Sequence, residues 1–247
     1  MGTSRIEIYV QARMSSTRLP GKVLKEVLGK PLLFYLTERL KRAHQADTVA
    51  ILTTTNPKDE PIRAFCKENK ILCYEGPEDN VLERYYLVAK ERKPDAIVRV
   101  TSDCPLIDPK IIDEVILEYK NSSPNVDYVS NTLERTYPRG MDTEVFSYDA
   151  LEKTYLSAKS PEEQEHVTLY MYRHPEIFKL QNVACKKDNS GFRLTVDTED
   201  DFKLINLLLH ELYLKNPEFV LRDILDLLQK HPDWVKINAH IEQKSTG

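Results

Sequence analysis

Residues 6–22 read IEIYVQARMSSTRLPGK, a short apolar strand that runs directly into a polar loop. Ile6, Ile8 and Val10 recur at every second position, which is the spacing of a β-strand. The segment that follows, residues 11–30, is rich in turn-forming and charged side chains. A strand that ends in such a loop before a helix is typical of the first unit of an open α/β sheet.

The same order of strand, loop and helix continues to about residue 120. Short apolar runs predict strands, and apolar residues spaced three and four apart predict the helices between them. This alternation predicts a parallel, doubly wound sheet. One predicted helix begins at Pro31. The predicted strands are Ile6–Val10, Thr48–Thr54, Ile71–Tyr74 and Ala96–Val100, and the other predicted helices are Asp59–Asn69, Asp79–Arg92 and Lys110–Tyr119.

The second half of the chain is less regular. Ser160-Pro161-Glu162-Glu163 has the form of a helix start, with Val167, Tyr170 and Met171 on the apolar face of the predicted helix. No linker or internal repeat interrupts the chain, so we predict one domain over residues 1–247. The remaining predicted strands are Asp127–Ser130, Thr143–Phe146, Leu180–Ala184 and Phe192–Val196, and the closing helices are Thr198–Lys215 and Val220–His231.

The composition is that of a globular protein. Of the 247 residues, 41% are hydrophobic and 30% are charged, with a net charge of −4. No apolar run reaches the roughly 20 residues of a membrane helix, and residues 1–10 lack the apolar core of a signal peptide. The four cysteines share no CxxC spacing. We therefore expect a cytoplasmic enzyme or binding protein with no membrane association.

The N-terminal segment is basic although the chain as a whole is acidic. Residues 1–43 contain nine Lys or Arg residues against three acidic ones, which favours an anionic ligand there. Arg39, Lys41 and Arg42 are expected on a solvated helix face. Nucleic acid is not favoured as a partner, because basic and aromatic residues do not interleave.

Arg13, Arg18 and Lys22 are a better candidate for an anion site. They share a loop with hydroxyl side chains and a glycine, and such a loop can surround a polyphosphate with charge-assisted hydrogen bonds. The loop lacks the GxxxxGK[ST] spacing of a Walker-type phosphate loop.

Two acidic loops also follow predicted strands. Asp103 and Asp197 both lie where ligands bind in open α/β sheets, and carboxylates there can hold a divalent cation that bridges phosphates. The alternative is a helix cap, which we prefer for Asp108 and leave open for Asp103 and for Asp197 or Thr198. Opposite a basic loop, the pair Asp103 and Asp197 favours a metal site.

Residues 12–22 closely resemble the signature loop of the sugar-acid cytidylyltransferases, which include the CMP-Kdo and CMP-sialate synthetases. The resemblance continues at residues 103–107 and 196–200 and covers the chain nearly end to end. It is closest to the branch that contains spore coat polysaccharide biosynthesis protein F. That branch has segments similar to residues 135–142 (RTYPRGMD) and 165–168 (EHVT).

This resemblance implies a Rossmann-like α/β fold of the nucleotide-diphospho-sugar transferase type, with a small acceptor or dimerisation insertion at about residues 125–180. The implied activity is a nucleotidyltransferase reaction: transfer of CMP from CTP to a sugar acid, with Mg²⁺, in surface polysaccharide synthesis. Homodimers are common in the family. The implied nucleotide-binding residues are Ala12, Arg13, Ser16, Arg18, Lys22 and Thr101, the implied catalytic residues are Arg13, Lys22 and Asp103, and the implied metal ligands are Asp103 and Asp197.

The sequence departs from the family in two places. Thr101 stands where CMP-Kdo synthetases have a glutamine that helps to read cytosine. Residues 127–175 match the known acceptor regions poorly, so the candidate acceptor contacts come from this sequence alone. They are Arg139, Asp142, Glu144 and His166. The structural alternatives are an exposed charge in a turn for Arg139, a structural carboxylate for Glu144 and an ordinary helix histidine for His166. The alternative functions are a nucleotidyltransferase with another base or acceptor and a non-catalytic nucleotide-binding protein.

Overall fold

The computed structural model describes residues 4–243, so the ends of the predicted 1–247 domain lie outside the described residues. Within that range, seven strands form one sheet, and only the strand Glu144–Ser147 runs antiparallel to its neighbours. The predicted doubly wound, mostly parallel sheet is therefore confirmed. Across the sheet the strands are β5 (Leu72–Gly76), β4 (Thr48–Thr54), β1 (Ile6–Gln11), β6 (Ala96–Thr101), β8 (Glu144–Ser147), β7 (Tyr128–Ser130) and β9 (Leu180–Asn182).

Helices cover both faces of this sheet. Alternate residues of the central strand β1 point to opposite faces. Ile8 and Val10 join the core on one face, which includes Leu36, Ile62 and Leu208, while Tyr9 joins the core on the other face, which includes Tyr85, Leu151 and Met171. None of the helices in residues 4–243 is long and apolar enough to cross a membrane. The helices are α1 (Leu32–Leu40), α2 (Glu60–Glu68), α3 (Val81–Arg92), α4 (Pro109–Ser122), α5 (Tyr148–Ser157), α6 (Pro161–Glu165), α7 (Leu169–Arg173), α8 (Glu199–Leu212), α9 (Leu221–Lys230) and α10 (Pro232–Val235).

Side-chain caps set the starts of several helices, as the sequence predicted. The carboxylate of Asp108 accepts a hydrogen bond from the backbone N–H of Lys110 at 2.9 Å. Thr198, rather than Asp197, caps α8, and its hydroxyl accepts from the N–H of Asp201 at 3.2 Å. Asp197 is therefore available for another role.

The predicted strand at residues 192–196 is wrong. Apart from one bridge between Arg193 and Arg139, the segment makes no ladder with another described strand. The N–H of Val196 instead bonds to the carbonyl oxygen of Asp103 at 2.8 Å, and the hydroxyl of Thr195 bonds to that same oxygen at 3.1 Å. The apolar residues whose alternation suggested a strand, Phe192, Leu194 and Val196, pack in or against the hydrophobic core without strand pairing.

Three other features differ from the sequence prediction. The helix that begins at Pro161 ends at Glu165, and a separate helix, α7, carries Met171. The helix α5 and the short helix α10 were missed, and a two-stranded sheet of β2 (Glu26–Val27) and β3 (Lys30–Pro31) was also missed.

The solvated helix face predicted for Arg39, Lys41 and Arg42 is wrong for Arg39. This side chain is buried and donates to the carbonyl oxygens of Ile107 at 2.7 Å and Phe219 at 2.8 Å. Its guanidinium also lies over the Phe219 ring. Helical spacing alone cannot show that two loops, which contain Ile107 and Phe219, cover this position.

Gly140 allows residues 136–142 to approach residues 193–195 closely. Its φ is +101°, and a Cβ atom there would lie 2.6 Å from the backbone carbonyl of Leu194. We expect Gly140→Ala to lower the free energy of unfolding by about 2–4 kcal/mol, because the backbone must shift and the residue is strained. Urea denaturation measures this loss. Gly191→Ala is the matched control, because its Cβ would meet open space, and it should change stability by less than about 0.5 kcal/mol.

Candidate active site

A cleft of about 770 Å³ lies beyond the carboxyl ends of β1 and β6. This is within the volume range of small-molecule sites and at the sheet edge where open α/β proteins bind ligands. The structure brings every sequence-predicted site residue to its walls. These residues are Ala12, Arg13, Ser16, Arg18, Lys22, Thr101, Asp103, Arg139, Asp142, Glu144, His166 and Asp197.

The basic loop is held in shape by a residue that the sequence analysis missed. The backbone N–H of Met14 donates to Asp59 at 2.7 Å, and the hydroxyl of Thr54 donates to the other oxygen of the same carboxylate. Asp59 is buried beneath the loop. In the sequence, the position of Asp59 just before α2 indicates only a helix cap. Its hydrogen bond to Met14 joins residues that are 45 positions apart, so no pattern in the local sequence could reveal it. Asp59 thus fixes the loop that presents Arg13 and Arg18.

Lys22 lies between the two carboxylates that the sequence singled out. Its Nζ is 3.2 Å from Asp103 Oδ2 and 2.8 Å from Asp197 Oδ1, and it also donates to the carbonyl of Val196 at 2.7 Å. Burial opposes the charged ammonium, but the two carboxylates outweigh it and raise the pKa of Lys22. Burial likewise opposes ionisation of Asp103, but Lys22 and the Thr101 hydroxyl outweigh it and lower the pKa of that carboxyl group.

The second oxygen of Asp197 also faces cations. Asp197 Oδ2 is 3.0 Å from Nη2 of Arg18 and 2.8 Å from Nη2 of Arg193. Arg18 belongs to the basic loop, whereas Arg193 was not singled out from the sequence. The predicted convergence of Asp103 and Asp197 is observed, although a loop-to-loop contact rather than a second strand end produces it.

The chemistry of this donor set fits Mg²⁺. Among residues 4–243, no group of three or more His, Cys, Asp or Glu side chains is arranged to hold a metal ion. Mg²⁺ accepts one or two carboxylates and fills its other positions with phosphate oxygens and water. Asp103 and Asp197 therefore suit an ion that takes most of its ligands from a nucleotide and from water.

Glu144 lies at the far wall of the cleft and is fully engaged by its neighbours. Its carboxylate pairs with Arg99 and accepts hydrogen bonds from the hydroxyls of Tyr128 at 2.5 Å and Thr168 at 2.6 Å. Burial opposes its ionisation, but Arg99 and the two hydroxyls outweigh it and lower the pKa of Glu144. These contacts favour the structural alternative for Glu144 over direct contact with a ligand.

The other three candidate acceptor residues differ in how they are paired. Asp142 accepts two hydrogen bonds from Arg135, at 2.6 and 2.8 Å. The guanidinium of Arg139 makes no ion pair within the described part of the chain, and burial together with the nearby charge of Arg135 lowers its pKa. Burial also lowers the pKa of His166, so the imidazole is mainly neutral at pH 7. Arg139 and His166 thus have polar groups that a ligand can use.

Comparison with known proteins agrees with this geometry. A family model described as cytidylyltransferase matches residues 8–235. The spore coat polysaccharide biosynthesis protein SpsF of Bacillus subtilis is 31% identical over 235 residues, covering 92% of this chain and 95% of SpsF. A solved structure of a cytidylyltransferase from Leptospira borgpetersenii is 31% identical and has a TM-score of 0.90. The match covers 98% of this chain and 100% of that chain. A 3-deoxy-manno-octulosonate cytidylyltransferase of Geobacter metallireducens is 35% identical over 112 residues, which span 45% of this chain and 43% of that protein.

We expect Glu144→Gln to lower the free energy of unfolding by about 3–5 kcal/mol, because it leaves the buried charge of Arg99 without its carboxylate. Urea denaturation tests this. Asp142→Asn serves as the control, because the Arg135–Asp142 pair is more exposed and should contribute about 1 kcal/mol or less. A Glu144→Gln protein as stable as the parent would contradict the structural role of this residue.

Proposed function

The chain belongs to the cytidylyltransferase family and is a nucleotidyltransferase, and on that premise we propose that it transfers CMP from CTP to an acidic sugar or a related acceptor, with release of pyrophosphate. One observation carries this proposal. A basic loop and two carboxylates, from three distant parts of the chain, meet in one cleft through Lys22.

The basic loop supplies the charge that a triphosphate needs. Arg13, Arg18 and Lys22 are cationic, and Ser16 adds a hydroxyl on the same wall of the cleft. In the proposed reaction an acceptor hydroxyl attacks the α-phosphorus. The new P–O bond forms as the bond to the pyrophosphate oxygen breaks, and the hydroxyl proton is released. Cations beside the phosphates stabilise the negative charge that develops on the leaving pyrophosphate.

We assign Asp103 and Asp197 as the residues that would hold Mg²⁺. Bound there, the ion would neutralise phosphate charge during transfer. Lys22 is within hydrogen-bond distance of both carboxylates, so it must leave at least one of them to reach a phosphate. Its three rotatable N–H donors on a flexible stem allow this exchange.

The opposite end of the cleft supports an acidic acceptor. Arg139 offers a guanidinium with no ion pair within residues 4–243, and Arg135 lies close enough to lower its pKa. Because Asp142 already pairs with Arg135, the three side chains together keep one positive charge, on Arg139, and an arginine of this kind favours a ligand that carries a carboxylate. Similarity to SpsF and to a 3-deoxy-manno-octulosonate cytidylyltransferase supports the same substrate class and a place in surface polysaccharide synthesis.

A second candidate function uses another base. The hydroxyl of Thr101 donates to Asp103 Oδ1 at 2.5 Å, so its proton is already committed to a carboxylate. This contact favours a looser choice of base than a glutamine amide at this position would give. A nucleotidyltransferase that uses UTP or a purine nucleotide is therefore the alternative.

We also propose that the enzyme acts in the cytoplasm as a homodimer. All four cysteines lie within the described residues and none forms a disulfide, which suits a reducing compartment. The helix α5, in the segment proposed for dimerisation, exposes Leu156. Light scattering after size-exclusion chromatography would measure the oligomeric state.

Pyrophosphate release is the direct test of the reaction. With Mg²⁺ and a panel of sugar acids, we expect turnover with CTP and at least tenfold less with UTP, ATP or GTP. The panel should include each acid and its neutral analogue without the carboxylate, which should react poorly. A clear preference for another nucleotide would establish the second candidate function, and specific nucleotide binding without turnover on any acceptor would favour a non-catalytic role.

The two carboxylates can be tested without changing their size. We expect Asp103→Asn and Asp197→Asn to fold normally and to lose most of their turnover, because each loses the charge that would hold a divalent ion. The loss should be roughly a hundredfold or more and only partly restored by added Mg²⁺. Asp200→Asn is the control, because Asp200 lies next to this site on α8 but pairs with Lys203 at the surface. Unchanged turnover in Asp197→Asn would remove Asp197 from the metal site.

A further inference from the structure

A buried carboxylate that the proposed chemistry does not use lies directly behind Asp197. Asp201, in the first turn of α8, has no exposed surface. Its Oδ2 accepts from the backbone N–H groups of Asp197 and Thr198, each at 3.0 Å, and from the Thr198 hydroxyl at 3.1 Å. The bonds to Thr198 form an ordinary capping box. The bond to the N–H of Asp197 goes beyond it and fixes the backbone of the proposed metal ligand.

Arg193 controls the direction of the Asp197 side chain. This guanidinium is mostly buried; its Nε donates to Asp201 Oδ1 at 2.8 Å and its Nη2 donates to Asp197 Oδ2 at 2.8 Å. Arg193 holds Oδ2 from the buried side and Arg18 pairs with the same oxygen, so that Oδ1 of Asp197 is turned toward Lys22. A rigid guanidinium held by two carboxylates can thus set the rotation of one of them.

The segment that follows α10 closes this network from the C-terminal side. The Asn238 amide is 3% exposed and donates both to the carbonyl of Arg193 at 3.0 Å and to Asp201 Oδ1 at 2.8 Å. Gln243 accepts from Arg193 Nη1 at 2.7 Å and lies on the wall of the cleft. The network therefore connects the last described residues of the chain with Asp197.

A capped helix does not require this arrangement. Thr198 already caps α8, and burying the ion pair of Arg193 and Asp201 costs desolvation that only good geometry offsets. The network reaches the cleft at the carboxylate of Asp197 and at the side chain of Gln243, and away from the cleft it ends at the buried amide of Asn238. A network of this kind is typical of residues that hold a functional group in one position, and the group held here is the carboxylate of Asp197.

We infer that Arg193, Asp201 and Asn238 are positioning residues for Asp197, and that the C-terminal segment Asn238–Gln243 is in this way part of the active site. The inference rests on the metal role assigned to Asp197 under the proposed function. Disturbing the network should reduce the gain in CTP affinity that Mg²⁺ provides through Asp197. It should not weaken the contacts between the nucleotide and the basic loop.

The test compares CTP affinity with and without Mg²⁺ by calorimetric titration of the full chain. We expect Asn238→Ala to keep the affinity measured without Mg²⁺ and to lose about tenfold of the affinity gained when Mg²⁺ is added. Gln243→Ala removes an exposed contact and cannot endanger folding, and it should give a smaller loss in the same direction. Asn189→Ala is the matched control, because Asn189 is also a buried asparagine bonded to backbone, outside the cleft.

A merely structural network would give a different result. Asn238→Ala and Asn189→Ala would then lower the urea midpoint alike, and both would keep the full gain from Mg²⁺, which would overturn the inference. In an Asp197→Asn background, Asn238→Ala should cause no further loss of that gain, because its effect runs through Asp197. A further loss in that background would also overturn the inference.

The same titrations separate the inference from the proposed function. If Asp197→Asn loses the gain from Mg²⁺ but Asn238→Ala and Gln243→Ala keep it, the positioning role fails while the metal assignment stands. If Asp197→Asn itself keeps the full gain, the metal assignment fails and the positioning role falls with it.

Discussion

The contact of one ammonium group with two carboxylates organises the cleft. Lys22 comes from the loop after β1, Asp103 from the loop after β6, and Asp197 from an irregular segment before α8. No pair of these residues is close in sequence, and each comes from a separate segment. A buried charge is tolerated only when it is paired, so the ion pairs require all three segments to meet. The carbonyl of Val196, which also accepts from Lys22, adds a backbone constraint to the charge constraint.

The sheet and much of the site could be predicted because their signals are local. The alternation in β1 and the apolar run of β4 depend only on neighbouring residues, and both strands appear where the pattern placed them. Asp103 and Lys22 were found because each lies in a polar loop after an apolar strand. In these cases the spacing of the apolar residues shows where the strand ends, and the polar side chains that follow are then expected at that end of the sheet.

The features that could not be predicted depend on distant partners. Residues 192–196 alternate like a strand, yet their hydrogen bonds go to Asp103 and Arg139 on two other loops. Arg39 has the spacing of an exposed charge, but the carbonyls of Ile107 and Phe219, which come from other parts of the chain, bury it. For the same reason Asp59 resembles an ordinary cap in the sequence and Asn238 an ordinary surface residue. The contact of Asp59 with Met14 and the contact of Asn238 with Arg193 each join residues that are 45 positions apart in the sequence.

If Asp103 and Asp197 hold the metal ion as proposed, the position of Lys22 would couple the binding of that ion to the binding of the nucleotide. While its ammonium neutralises Asp103 and Asp197, those carboxylates are less attractive to a divalent cation. A triphosphate that draws Lys22 away frees Asp103 Oδ2 and Asp197 Oδ1 from their ammonium partner, while Asp197 Oδ2 stays paired with Arg193. A cation would then meet two carboxylate oxygens that no longer face a lysine. Coupling between two ligands is reciprocal, so a cation that displaces Lys22 must also favour the triphosphate. One flexible side chain can therefore make the arrival of metal and nucleotide cooperative without any movement of the sheet, since Asp59 already holds the loop that carries Lys22 and both Arg193 and Asp201 hold the segment that carries Asp197.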